Sequence, residues 1–194
     1  TIPVSVIVIT KNEEKNISSC LDLLRNFDEI LVVDSTSQDN TKQVVQEKGF
    51  SVIDFQWNGQ YPKKRQWCLD HLKLKHDWVL FIDADEHMTN ALAQEIGSAI
   101  KSPSAVAGYF IKGYHVMNGK VLRHGLHNNK IALMNRKWME FPAVDDLDIP
   151  GMGEIEGHYQ PVLKPSFENK AIGKLKEPLL HFSMEDPRAW IFRH

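Results

Sequence analysis

Four apolar runs, rich in β-branched residues, alternate with windows of helical periodicity through the first hundred residues, and few folds accept that pattern. The first run, "VSVIVI" at residues 4–9, lies between Pro3 and Thr10 and reads as a buried strand. Behind it Ile17, Cys20, Leu21 and Leu24 recur at i, i+3, i+4 and i+7, one face of a helix. "DEILVVD" is a second strand ending at Asp34; Ser37, Asp39 or Asn40 can cap the helix "TKQVVQEK", which Gly49 stops. "SVIDFQW" predicts a third strand, and Pro62 suits the first turn of a helix running to about Leu74. "WVLFIDAD" is the fourth strand, followed by a helix that Thr89 can cap, with Leu92, Ile96 and Ile100 sharing a face. Apolar strands joined by helices imply a parallel sheet with helices on both faces, an α/β fold.

After residue 100 the pattern changes. "GYFIKGYHVMNGKVL" predicts a hairpin turning at Asn118-Gly119, and "KIALMNR" a further strand. Residues 141–169 read as loop-rich, "EPLLHF" as a short late strand, and "DPRAWIFRH" as the start of a helix that the natural protein is expected to continue past His194. No repeat or linker divides the chain, so residues 101–194 are expected to pack on the sheet of residues 1–100 as two halves of one domain. A chain of 194 residues buries a core without disulfides. Its formal charge of −2 lacks the basic excess of a general nucleic-acid binder. No apolar stretch reaches the length of a membrane span, and "TIPVSVIVIT" has no basic leader. Cys20 and Cys68 have no metal or redox spacing and read as small core residues in a reducing compartment.

In an open parallel sheet, ligands lie beyond the carboxyl ends of the strands. Three such ends are polar here: Thr10, Lys11, Asn12 and Glu13; Asp34, Ser35 and Thr36; Asp83, Ala84 and Asp85. Asp83 and Asp85 alternate along an extended segment, so both can face one point. Two close carboxylates repel unless a cation sits between them. A hard divalent ion, Mn²⁺ or Mg²⁺, completed by water and substrate phosphates, suits them. Lys63, Lys64 and Arg65 fall in the first turn of the third helix, where cations oppose the helix dipole, and so point to an anionic ligand. Each feature has a plainer alternative: solvated carboxylates in a turn, a capping Asp34, a solvated basic patch. His124 and His127 are close in sequence but lack an acidic or cysteine partner, which favours a polar loop.

"VIVITKNEEKNI", "ILVVDSTSQDNT" and "DWVLFIDADEH" resemble the three nucleotide-site motifs of family 2 glycosyltransferases of the GT-A fold. The likeness is nearest to the lipopolysaccharide core glucosyltransferase branch, and "LKEPLLHF" with the segment after it resembles that branch's C-terminal signature. The resemblance implies a Rossmann-like, mostly parallel central sheet. Residues 1–100 would form the nucleotide-sugar-binding half and residues 101–194 a smaller, hairpin- and loop-rich acceptor-side half. It implies that Thr10, Lys11, Asn12 and Glu13 contact uracil and ribose, joined by Asp34 and Ser35, with Lys64 and Arg65 toward the nucleotide and diphosphate. Asp83 would face ribose or metal, Asp85 the metal, and His181 would be a third metal ligand or a diphosphate contact. The general base is sought among Glu156, Glu154 and the pair Asp145 and Asp146.

The expected activity is inverting transfer of a hexose, glucose for preference, from a UDP-sugar donor to a bacterial glycan or lipid-linked saccharide such as lipopolysaccharide core. It would use Mn²⁺ or Mg²⁺, in the cytoplasm or peripheral to the inner face of the cytoplasmic membrane, with no nucleic-acid partner. Two alternatives stand beside it. "FIDADEH" also resembles the strand-end motif of haloacid dehalogenase-type phosphatases, although that motif belongs on a first strand. A non-catalytic nucleotide-sugar binding module is the other.

Overall fold

The computed structural model describes residues 1–102, 106–124, 128–149, 153–156 and 159–182. Strand β1 (Ile2–Thr10) leads through α1 (Ile17–Leu23) to β2 (Phe27–Asp34), α2 (Thr41–Glu47), β3 (Val52–Asp54), α3 (Lys64–His71) and β4 (Trp78–Asp83). Then come β5 (Glu86–His87), α4 (Asn90–Ala99), β6 (Val106–Met117), β7 (Lys120–Val121), β8 (Asn128–Asn135) and β9 (Met139–Glu140). β10 (Val162–Leu163), a 3₁₀ turn at Pro165–Phe167, β11 (Ala171–Lys174) and β12 (Leu179–His181) complete the described chain.

The main sheet runs β3-β2-β1-β4-β8-β6-β12-β5, with β7 and β11 also paired to β6. Strands β1 to β4 are parallel, and β8 enters antiparallel to both β4 and β6. Alternation along the strands divides the core. Val4, Val6 and Val8 of β1, with Leu80 and Ile82 of β4, pack against Ile17 and Leu21 of α1, Val45 of α2, and Leu92 and Ile96 of α4. Ile7, Ile9, Val79 and Phe81 point the other way, toward Cys68 of α3 and Phe141. Helices therefore cover both faces, the α/β layering that the apolar runs require.

Several expectations shift in extent. β3 is only three residues, because past Asp54 the chain leaves β2. α3 begins at Lys64, two residues after Pro62, and ends at His71 because Leu72 turns extended. The hairpin forms as expected: Asn118 (φ 49°) and Gly119 (φ 73°) both adopt the left-handed conformation of a type I′ turn. β5, β9, β10 and β11 carry no sequence signal, since two to four residues are too few to show a period. The helix expected at "DPRAWIFRH" and His127 lie outside the described residues.

Thr89 caps α4, its hydroxyl oxygen accepting the Leu92 N–H at 3.1 Å. Thr89→Ala is expected to cost about 1 kcal/mol. Ile96→Ala, which empties a fully buried position on the same helix, is expected to cost about 2–5 kcal/mol. Urea denaturation of both variants checks the ranking.

Candidate functional site

The sheet register sets the three polar strand ends side by side. Thr10 pairs with Asp34 across β1 and β2, and Ile9 pairs with Asp83 across β1 and β4. The turns after β1 and β2 are laced together. Asn12, left-handed at φ 56°, donates its N–H to Ser37 Oγ and accepts the Gln38 N–H on Oδ1, both at 2.8 Å. The Glu13 N–H donates to Thr41 Oγ1 at 2.8 Å. Asp34 is fully buried and shapes its own turn, accepting the Ser37 N–H at 2.8 Å and the Ser37 hydroxyl at 2.5 Å. Thr10 and Ser35 are also buried; the Ser35 hydroxyl lies toward Glu154, while the Thr10 hydroxyl has no hydrogen-bond partner, which is uncommon for a buried hydroxyl. Lys11 is exposed at the same rim.

At the end of β4 the structure supplies a cation that sequence reasoning missed. Lys130, from β8, places Nζ 2.8 Å from Asp83 Oδ2 and 2.6 Å from Glu86 Oε2. Glu86 is buried and also accepts the Asp83 N–H at 3.0 Å, so it closes the turn Asp83-Ala84-Asp85-Glu86. Arg65 Nη2 lies 3.4 Å from Asp83 Oδ1. Burial opposes the ionisation of Asp83, but Lys130 and Arg65 outweigh it and hold the carboxyl below the usual carboxylate range. Burial pushes Glu86 up, and Lys130 offsets only part of that rise. The ammonium is held charged against its own burial by both acids. The only hint in sequence is a lysine heading the otherwise apolar "KIALM", and its partner could not be named without the register.

Asp83 and Asp85 therefore take different company. Asp85 Oδ2 lies 3.1 Å from His181 Nε2 on β12, which is parallel to β6 and antiparallel to β5. Burial lowers the His181 pKa, but Asp85 more than reverses this and leaves it raised. Glu13 is near enough for the Asp85 charge to add to burial in raising its carboxyl. Among the described residues no group of three His, Cys, Asp or Glu side chains converges as a metal cage. The donor types still fit a divalent ion: Asp85 and His181, a carboxylate oxygen and an imidazole nitrogen side by side at the rim, are the residues that would hold one. A carboxylate with an imidazole favours Mn²⁺ over Mg²⁺.

The start of α3 corrects the simple anion-site reading of the basic triplet. Lys63 is buried and bonds Asp146 Oδ2 at 2.6 Å, where Tyr61 also donates its hydroxyl at 2.7 Å. Lys64, also buried, lies 2.9 Å from Glu154 Oε1. The amides of Arg65 and Gln66 donate to Glu156 at 3.1 and 2.8 Å. The anions at this helix end are thus three of the carboxylates expected as bases. Asp146 and Glu156 are buried by these duties, Asp145 is exposed, and Glu154 keeps 21% of its side-chain surface exposed. Burial acts to raise the Glu154 pKa, but the nearby Ser35 hydroxyl and the Lys64 and Lys11 ammoniums leave it lowered.

Residues 5–153 match the family model for Glycosyl transferase family 2. A curated relative, the uncharacterized glycosyltransferase RT0209 of Rickettsia typhi, is 37% identical over 146 residues, covering 71% of this chain and 48% of that protein. The lipopolysaccharide core biosynthesis glycosyltransferase LpsC of Rhizobium meliloti is 29% identical over 113 residues, covering 56% of this chain and 41% of that protein. The chain thus spans about half the length of the curated relatives it matches. A crystal structure of S. aureus TarS 1-349 aligns with TM-score 0.49 and 28% identity, covering 63% of this chain and 38% of that one.

Lys130→Met leaves Asp83 and Glu86 without their shared cation. Breaking a buried pair in this way is expected to cost about 3–5 kcal/mol at pH 7. In the wild-type protein the lowered Asp83 pKa contributes stability above its ordinary value, and that contribution is lost as pH falls through the lowered one. In the variant the penalty falls on the ionised acids, so the deficit shrinks as pH drops into the carboxylate range. Urea denaturation at pH 7 and pH 5 reads the difference.

Proposed function

This chain belongs to glycosyl transferase family 2, and we propose that it is an inverting, metal-dependent hexosyltransferase that uses a UDP-sugar, UDP-glucose first among them. The proposed acceptor is a glycan or lipid-linked saccharide of the lipopolysaccharide core type, which the likeness to LpsC supports. The observation that carries this reading is the shared rim: the ends of β2, β1 and β4 lie in register, with the unpartnered Thr10 hydroxyl at one side and the Asp85–His181 pair at the other.

In this reading the loop Thr10 to Glu13, with Asp34 and Ser35, holds the uridine. The orphaned Thr10 hydroxyl supplies a hydrogen bond that the protein alone does not satisfy. Asp83 faces the ribose, and Arg65 beside it faces the diphosphate, with Lys64 behind. Asp85 and His181 would hold Mn²⁺ or Mg²⁺, which when bound would supply charge neutralisation for the diphosphate leaving group. The residues at the rim orient the sugar so that the acceptor hydroxyl meets the anomeric carbon from the far side. Glu154 is the proposed base: of the four carboxylates offered by sequence, Asp146 and Glu156 are buried by their partners, whereas Glu154 is partly exposed and has the rim residues Ser35 and Lys11 beside it. No described helix is long and apolar enough to cross a membrane. We place the protein in the cytoplasm, with peripheral contact at the inner membrane face where a lipid-linked acceptor would lie.

Calorimetric titration with UDP, CDP and GDP, with and without Mn²⁺, tests the donor site. UDP is expected to bind in preference and only with metal, and Asp85→Ala is expected to abolish the metal effect. Equal binding by wild type and Asp85→Ala would remove the metal assignment. Hydrolysis of a generic phosphomonoester without any UDP requirement would favour a haloacid dehalogenase-type phosphatase instead. Glu154→Gln is expected to lower transfer about 10²–10⁴-fold with UDP binding retained, as for loss of a general base.

A further inference from the structure

Glu156 stands in an unusual place for a proton acceptor. Its side chain is buried, at 1% exposure, and each carboxylate oxygen receives a main-chain N–H: Oε2 from Arg65 at 3.1 Å and Oε1 from Gln66 at 2.8 Å. Those amides belong to the first turn of α3, where N–H groups have no partner inside the helix. The residue in the capping position, Lys63, has no side-chain acceptor to offer, and its ammonium is committed to Asp146. Glu156 therefore supplies the cap from a segment 90 residues away, and its negative charge matches the positive end of the helix. A second bond fixes the same segment, since the Lys64 N–H donates to the Glu154 carbonyl at 2.8 Å.

The residue whose amide Glu156 holds is the residue that reaches the rim. Arg65 extends from that first turn to Asp83, and its Nε is buried without a hydrogen-bond partner. The Arg65 side chain keeps 12% of its surface exposed beside Asp83, and a guanidinium there is suited to pair with an anionic oxygen at the rim. We propose that Glu156 is a positioning residue: by holding the first two amides of α3 that reach it, it sets Arg65 at the rim to receive the donor diphosphate, and it does not take the acceptor proton. This rests on the sugar-nucleotide reading of the rim. Both oxygens of Glu156 face amide donors and its side chain is buried, an arrangement that serves the helix end.

The test is calorimetric binding of UDP with Mn²⁺ to wild type, Glu156→Gln, Arg65→Ala and the double variant, with hydrogen exchange measured at the Arg65 and Gln66 amides. Glutamine keeps the buried volume, so the fold is retained, but it turns an NH₂ group toward one of the two amides. Glu156→Gln is expected to speed exchange at those amides and to weaken UDP about tenfold. Arg65→Ala is expected to weaken UDP at least as much, and the double variant to be no weaker than Arg65→Ala alone, because Glu156 acts through Arg65. Unchanged exchange in Glu156→Gln, or losses that multiply in the double variant, would overturn the proposal. So would unchanged UDP binding accompanied by a hundredfold or greater loss of UDP-glucose turnover, the signature of a base. If wild type itself binds no UDP, the sugar-nucleotide reading fails on its own, and the exchange measurement still decides whether Glu156 holds the helix.

Discussion

The ammonium of Lys130, set between Asp83 and Glu86, is what lets an apolar strand end in a knot of acids. Without it the turn after β4 would hold two carboxylates in a largely buried place, and one would have to protonate or move. With it, Glu86 can tie the turn through the Asp83 amide, and Asp85 is presented separately beside His181. The internal cation thereby splits the two aspartates between roles. One is neutralised by lysine and arginine, and the other is left to a histidine.

A comparable pairing organises the third helix. Lys63, Lys64 and the amides that follow meet Asp146, Glu154 and Glu156 in chain order. Two clusters that look unrelated in sequence, one basic and one acidic, thus satisfy each other across the fold. Each buried cation is matched, and the free amides of a short helix receive a carboxylate instead of water. The cost of burying these charges is met by partners with good geometry, and what the arrangement secures is the placement of Arg65.

Much of the sheet could be read from the chain alone, because "VSVIVI", "ILVV" and "WVLFI" are long enough to show buried strands and the helices between them show a clean period. The alignment of Thr10, Asp34 and Asp83 followed from that layering. What stayed hidden depended on pairs distant in sequence. Lys130 meets Asp83 only through the register of β4 with β8, and no local pattern announces it. The fate of Glu156 was hidden for the same reason, since an acid near the end of a loop-rich stretch looks like a free base until the helix amides are seen against it. β5 and β11 escaped notice because such short strands take their identity from their neighbours.

The order β1-β4-β8-β6 has a consequence for how this molecule can be divided. β4, the strand that ends at Asp83, sits in the interior of the sheet because β8 lies against its stretch Trp78, Val79 and Leu80. A polypeptide cut after the first hundred residues would bare one whole flank of β4, a straight row of unsatisfied main-chain groups on one of the most apolar stretches of the protein. Such a flank recruits other chains edge to edge. A product cut there is therefore expected to associate through that exposed edge before it can fold.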